Sequence, residues 1–470
     1  MARAVRADEP QDGRAAGRAV GELYRMGCLV LLGAILTASQ LVRMPGYVLD
    51  DWYSYRNVWF GGPWAAADHD LRVSRPGAGL AFGIAFGYTG HNQVTQVLVR
   101  MTLVVLASVL GYLLLRRFFP REIPLLVAAA WLLLPNHLSL ELWSSAFVAS
   151  VSLVTLLGGC VLLAERHLRW WKIAVACGLF ALSALTYESS AVVAAVAAVV
   201  LPWLVAGRLR CRPVVAVAVT LSATTLWTLT NWHDVKSVHN DLSQYTDLFQ
   251  AHFGWGILPT GAIATVGLLL GTVGVTLVLV RVITPSRRAR AVPADWLVVS
   301  GLVVMLLGSA TFALYYYAPL GAGDRVSYVS SLGGAMVMVG LLWHVWARRQ
   351  AVGVGFAVLL VLGASVARVQ RLDIWFTAGR DGDRIFRAIE QVDDSCTTVY
   401  LGPAPIQREN VAAFLDQSNV DGAVQVALDR RDVRGVMLFD QASFDRVPEG
   451  CRVDIRPLSE LEPDAVVGPT

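Results

Sequence analysis

Asp50 and Asp51 stand side by side in GYVLDDWYSYRNVW, residues 46–59. Adjacent carboxylates partly withdrawn from water push a pKa upward, and a carboxylate so tuned takes a proton near neutrality. Arg75, in Ser74-Arg75-Pro76, and Arg325, in Gly323-Asp324-Arg325-Val326-Ser327-Tyr328, carry guanidinium groups. Such groups grip phosphate oxygens with two parallel hydrogen bonds. Glu188, in Thr186-Tyr187-Glu188-Ser189-Ser190, is suited to holding hydroxyls or orienting an arginine. His91, in Gly90-His91-Asn92, is the one histidine placed to join them, and Tyr187 and Tyr328 flank the group.

What must position these residues is a membrane-embedded scaffold. Of 470 residues 55% are hydrophobic and only 16% charged, against roughly 25% charged in soluble domains. Apolar runs long enough to cross a bilayer recur along the chain. Crossings are predicted near 26–42, 95–115, 122–138, 144–164, 172–187, 189–206, 213–231, 259–281, 295–317, 326–346 and 351–367, about eleven in all. Residues 1–25 form a basic tail with five arginines. The run after it is long for a signal-peptide core and lacks a small-residue cleavage site, so a retained helix is expected. With the N-terminus inside, inner loops hold twenty Lys and Arg and outer loops before the tail six, the asymmetry expected of that orientation. The apolar segment 77–90 is too short to cross without inverting every later loop, so it is read as interfacial or partly inserted. The first outer loop is then long, residues 43–94, and all the polar clusters above fall on the outer face.

Residues 368–470 differ in patterning. IFRAIEQV reads as an amphipathic helix, and TTVYLG, VRGVMLF and CRVDIR as short strands. The fold class expected is an all-α polytopic membrane protein, residues 26–367, with a small extracytoplasmic α/β domain at its C-terminus. Cys396 and Cys451 each precede a strand in an oxidising compartment, and either a disulfide or two free thiols fits. The six cysteines show no metal-ligand spacing, and the scattered basic residues argue against nucleic acid.

The acid-led first outer loop, the Arg-Pro before a short apolar segment, the Tyr-Glu turn and the Arg-x-x-Tyr helix start together resemble the integral-membrane glycosyltransferases of the GT-C superfamily, over about residues 26–370. The nearest branches are the bacterial mannosyltransferases and aminoarabinose transferases. The resemblance implies a bacterial plasma-membrane enzyme that moves a sugar, with inversion, from a polyprenyl-phosphate donor to an envelope glycan, lipid or protein. It assigns the proton-accepting or acceptor-orienting role to Asp50 or Asp51, and makes Arg75 and Arg325 candidates for the lipid phosphate. No cofactor is implied with certainty, and a divalent cation stays open. A polysaccharide polymerase or ligase, a transporter or flippase, and a non-catalytic envelope scaffold are the alternatives. A transporter would require charges at the midplane, broken helices and an internal repeat, none of which the sequence contains.

Each residue also has a plain reading. The acids cap a membrane helix in water, and Trp52, Tyr53, Tyr55, Trp59 and Trp64 form an interfacial belt. Arg75-Pro76 touches headgroups and starts a helix, Glu188 pairs with an arginine, Arg325 pairs with Asp324, and Arg100 snorkels to the surface.

Overall fold

A computed structural model describes residues 11–460 apart from 45, 63, 66, 68–74, 90–91, 208, 232–242, 255, 260, 285–291, 311–320, 403–406, 409–410 and 415–416. The helices are α1 (Gln11–Arg43), α2 (Asp51–Gly61), α3 (Pro76–Thr89), α4 (Gln93–Leu115), α5 (Glu122–Leu133), the short α6 (Ser139–Leu142), α7 (Phe147–Leu163), α8 (Trp170–Thr186) and α9 (Ser190–Ala206). They continue as α10 (Cys211–Asn231), α11 (Ser243–Phe253), α12 (Ala262–Ile283), α13 (Pro293–Ser309), α14 (Tyr328–Arg348) and the long α15 (Gln350–Ile389). By length and composition α1, α4, α7, α10, α12, α14 and α15 are able to cross a bilayer, and α5, α8, α9 and α13 are shorter apolar helices. This is the make-up of a polytopic membrane protein. Large apolar side chains left bare on outward faces, such as Leu277 at 65% and Leu359 at 67% exposure, form a surface suited to lipid rather than water.

Small residues set the closest helix contacts. A Cβ added to Gly301 of α13 would sit 2.7 Å from the Gly333 carbonyl oxygen of α14. Two helices that lack a hydrophobic driving force in lipid gain by such backbone approach. The segment read as interfacial is α3, fourteen residues long, packed on the ends of α7 and α8.

The tail contains the three predicted strands. β1 (Thr398–Gly402), β4 (Arg434–Met437) and β5 (Arg452–Asp454) form a parallel sheet in the order β4-β1-β5, beside a hairpin of β2 (Gln407–Arg408) and β3 (Val411–Ala412). Helices α16 (Gln417–Ala427) and α17 (Gln441–Asp445) accompany them. Cys396 and Cys451 are bridged, with Cα atoms 5.8 Å apart. The predicted amphipathic helix is the last part of α15, which runs unbroken out of the apolar segment.

The aromatics between residues 52 and 64, expected to form an interfacial belt, do not form one as a set. Trp52, 2% exposed, stacks on Phe386 of α15 at 5.1 Å and meets Phe414 at 5.8 Å and Tyr47 at 5.5 Å. Tyr55 stacks on Tyr47 at 4.8 Å. A Cβ on Gly422 of α16 would lie 2.7 Å from the Trp52 carbonyl oxygen, so α2 and α16 touch backbone to backbone. Trp59 donates to Asp429 at 2.8 Å. The period of these aromatics marks the face of α2 that enters the core of the tail, a destination no local pattern discloses. Of the five expected in the belt, Trp59 and Trp64, 40% and 51% exposed, stay on the surface. Trp52→Ala is expected to cost about 3–5 kcal/mol, the usual range for a buried tryptophan. Limited proteolysis should then release the tail first, whereas Trp52→Phe should retain most of the docking.

Candidate functional site

The turn that delivers the acids is tightly specified. Between α1 and α2 the backbone enters the left-handed region at Met44 (φ 49°), Gly46 (φ 71°) and Leu49 (φ 55°). For Met and Leu this is costly unless the surroundings hold it. They do so at Leu49, whose N–H lies 3.3 Å and 3.2 Å from the Ala412 and Ala413 carbonyl oxygens of the tail. Asp50 follows at the start of α2, half-buried, and Asp51 follows it, fully buried.

The two acids have different surroundings. Asp51 Oδ1 accepts from the Ser145 backbone N–H and from the Ser145 hydroxyl, both at 2.8 Å. It thereby caps the chain where it turns into α7. Burial first, then the neighbouring Asp50, pushes the Asp51 carboxyl up to about 7, while Arg100 and the Ser145 bonds oppose the shift. Asp50 lacks a side-chain capping bond at the N-terminus of α2 and retains access to solvent.

Arg100 does not snorkel. It is 3% exposed and donates to the Ser144 hydroxyl at 2.5 Å, and Ser144 donates in turn to Gln96 at 2.7 Å. α4 and α7 pack together at this depth, so the guanidinium finds a polar pocket inside the protein instead of the headgroup layer.

The second cluster is built around Trp143, two residues before Ser145. The Arg325 guanidinium covers the Trp143 ring at 4.5 Å and hydrogen-bonds Tyr187. Tyr187 meets the Tyr328 ring edge-on at 5.5 Å and carries Arg75 over its own ring at 5.3 Å. Arg75 donates to Glu188 at 2.5 Å. The Tyr328 hydroxyl lies 2.8 Å from Ser189 Oγ and 3.1 Å from Ser152 Oγ. Burial pushes the Tyr187 phenol up, while Arg325 and Arg75 act the other way. Close packing of α3 on α8, where a Cβ on Gly77 would lie 2.4 Å from Thr186 Oγ1, brings Arg75 over the Tyr-Glu turn.

Arg325 and Asp324 diverge. Asp324 Oδ1 accepts from the Ser139 N–H at 3.0 Å and caps α6, so it does not neutralise its neighbour. Among the described residues Arg325 makes no ion pair, in contrast to Arg75. Arg75, Tyr187, Glu188, Arg325 and Tyr328 are therefore in direct contact, and Asp51 joins them through Ser145, Ser144 and Trp143. His91 lies outside the described residues. No group of three or more His, Cys, Asp or Glu converges among the described residues.

Sequence reasoning missed the Trp143-Ser144-Ser145 segment, whose two serines it placed at the start of a membrane helix, and the ion pair beside it. Glu141, fully buried, binds Arg368 of α15 and accepts from Gln40 of α1 at 2.9 Å. The only local signal was an acid just before an apolar run; its partners lie 101 and 227 residues away. Glu141→Ala would strand the Arg368 charge in the interior, and a destabilisation of about 3–5 kcal/mol is expected. Thermal melts of the variant in detergent measure it.

No protein family of known description matches this sequence, and no curated protein does. Solved structures resemble its fold. The archaeal oligosaccharyltransferase AglB from Archaeoglobus fulgidus, in complex with an inhibitory peptide and a dolichol-phosphate, is 12% identical with a TM-score of 0.43 over 88% of this chain. This chain covers 64% of that one. ArnT from Cupriavidus metallidurans bound to undecaprenyl phosphate is 15% identical with a TM-score of 0.44 over 91% of this chain and 90% of its own. The apo form of the A. fulgidus oligosaccharyltransferase is 13% identical with a TM-score of 0.46 over 90% of this chain and 65% of its own.

Proposed function

We propose that this chain is a multi-pass glycosyltransferase of a bacterial plasma membrane, working on the outer face. It transfers a sugar from a polyprenyl-phosphate donor to an envelope acceptor. The observation that carries this reading is one segment, residues 143–145, whose Ser145 holds Asp51 and whose Trp143 ring lies under the Arg325 guanidinium. This supports assigning a proton acceptor and a phosphate partner to the two ends of a single short stretch of chain.

In the step proposed, the acceptor hydroxyl oxygen attacks the anomeric carbon from the face opposite the lipid phosphate. The new carbon–oxygen bond forms as the bond to phosphate breaks, which inverts the anomeric centre. The hydroxyl proton passes to Asp50, the acid with solvent access. Asp51, committed to Ser145, holds the turn. The departing polyprenyl phosphate keeps the bonding electron pair, and Arg325 faces that developing charge. Arg75 and Glu188 form one unit; Glu188 orients Arg75, and the pair is assigned to the donor. Tyr187 and Tyr328 fix Arg325 and the floor beneath it.

Incubation of the purified protein with radiolabelled polyprenyl-phosphate sugars and membrane extract tests this. Label should move into an acceptor fraction in the wild type. Full transfer by Asp50→Ala, Asp51→Ala and Glu188→Ala at equal expression would sink the assignment.

A further inference from the structure

A polar-headed cavity lies toward the opposite end of α14 from Tyr328. It encloses about 380 Å³ between α12, α14 and α15. Gly267, Gly271, Gly274 and Val278 run along its α12 wall, and Phe356 and Leu360 of α15 face them. From Gly267 to Arg281 the stripe covers about 21 Å at the helical rise, more than the ~15 Å of one leaflet's hydrocarbon. With Arg281 at the membrane surface, a groove of this length reaches past the midplane. Leu270 and Leu277 in its lining are 54% and 65% exposed, so it opens to the lipid side.

Its mouth is basic. Arg281, His344 and Arg348 line it, against one acid, Asp295. That acid is fully buried: it accepts from the Val292 N–H at 2.7 Å, lies 2.9 Å from His344 Nε2 and 3.5 Å from Arg281 Nε. Arg281 and Asp295 thus offset each other within the protein, and the net positive charge at the mouth is that of Arg348, exposed at the end of α14. A long apolar slot headed by arginines at a membrane surface has the shape and charge of an anionic phospholipid.

We propose that this groove binds an anionic phospholipid of the inner leaflet, with its phosphate at Arg281 and Arg348 and an acyl chain along Gly267, Gly271 and Gly274. The inner-leaflet assignment rests on the orientation proposed above, with the ends of α12 and α14 in the cytoplasm; the binding itself does not depend on the transfer chemistry.

The test uses the full chain, delipidated in neutral detergent, with phosphatidylglycerol, phosphatidylcholine or undecaprenyl phosphate added. Binding is read by native mass spectrometry and by the thermal midpoint. Phosphatidylglycerol should bind and raise the midpoint more than phosphatidylcholine does. Arg348→Gln should weaken it about fivefold, the worth of one arginine near an anionic headgroup. Arg281→Gln should weaken it as well but also strips a partner from Asp295, so Arg348→Gln, on an exposed side chain, decides. Equal binding of the two phospholipids, an unchanged affinity in Arg348→Gln, or stronger charge-dependent binding of undecaprenyl phosphate would each overturn the proposal. Asp50→Asn should retain the lipid shift in full, which separates this result from any failure of the transfer assay.

Discussion

Replacing Asp50 with asparagine is expected to slow sugar transfer by about 10²–10⁴-fold, the usual worth of a positioned proton acceptor, with the chain still folded. Asparagine keeps the shape and the hydrogen-bonding oxygen but cannot accept the proton. Asp51→Asn should behave differently. Asp51 is fully buried and its Oδ1 serves Ser145, so asparagine preserves part of the anchor and the loss of activity should be smaller. Its pH signature is distinct. The folded pKa of about 7 lies above the value of roughly 3.9 in an unfolded chain. The stability Asp51 contributes is therefore present in acid, below about pH 4, and is lost as pH rises through about 7. The wild-type melting temperature should fall between about pH 4 and 7 and level off above that, and Asp51→Asn should flatten that slope. A wild-type slope that survives in Asp51→Asn would place the titration elsewhere. An Asp50→Asn enzyme of normal rate would remove the base from the mechanism.

The second large effect is expected at Arg325. Arg325→Gln should lower the rate by about 10²–10³-fold, as losses of single groups that stabilise developing charge do. Arg75→Gln should cost less, because Arg75 already spends its charge on Glu188 at 2.5 Å. Arg325→Lys should recover only part of the rate. Lysine is a point charge without the planar fork, and it would stack less well on Trp143. Comparing the rate at saturating donor with the Michaelis constant separates the two arginines. Loss concentrated in the rate marks Arg325 as facing the transition state, and loss confined to the Michaelis constant would make it a ground-state anchor.

Much of the scaffold was legible because its signals are local. A bilayer demands apolar helices, and among the described residues each predicted crossing coincides with one, seven of them long enough to span and four shorter. The strands around Val399, Val436 and Val453 announce themselves by alternation and length. The clustering of Arg75, Tyr187, Glu188, Arg325 and Tyr328 was legible for a related reason: polar groups in or beside a membrane are expensive, so they gather.

What the residues alone left undecided were choices between partners. Arg325 had Asp324 beside it in sequence, yet Asp324 turns to Ser139, 185 residues away. Arg100 had the membrane surface in reach, yet takes Ser144. Trp52 had every mark of an interfacial aromatic, yet enters the core of a domain more than 330 residues downstream, against Phe386 and Phe414. Composition and period determined that this chain spans a membrane and carries acids and arginines at one face, because hydrophobicity and charge act residue by residue. Which acid is sealed and which is open, and which arginine keeps its charge for a ligand, only the tertiary structure decided. Those outcomes depend on burial and on competing hydrogen bonds, and both exist only once distant segments have packed.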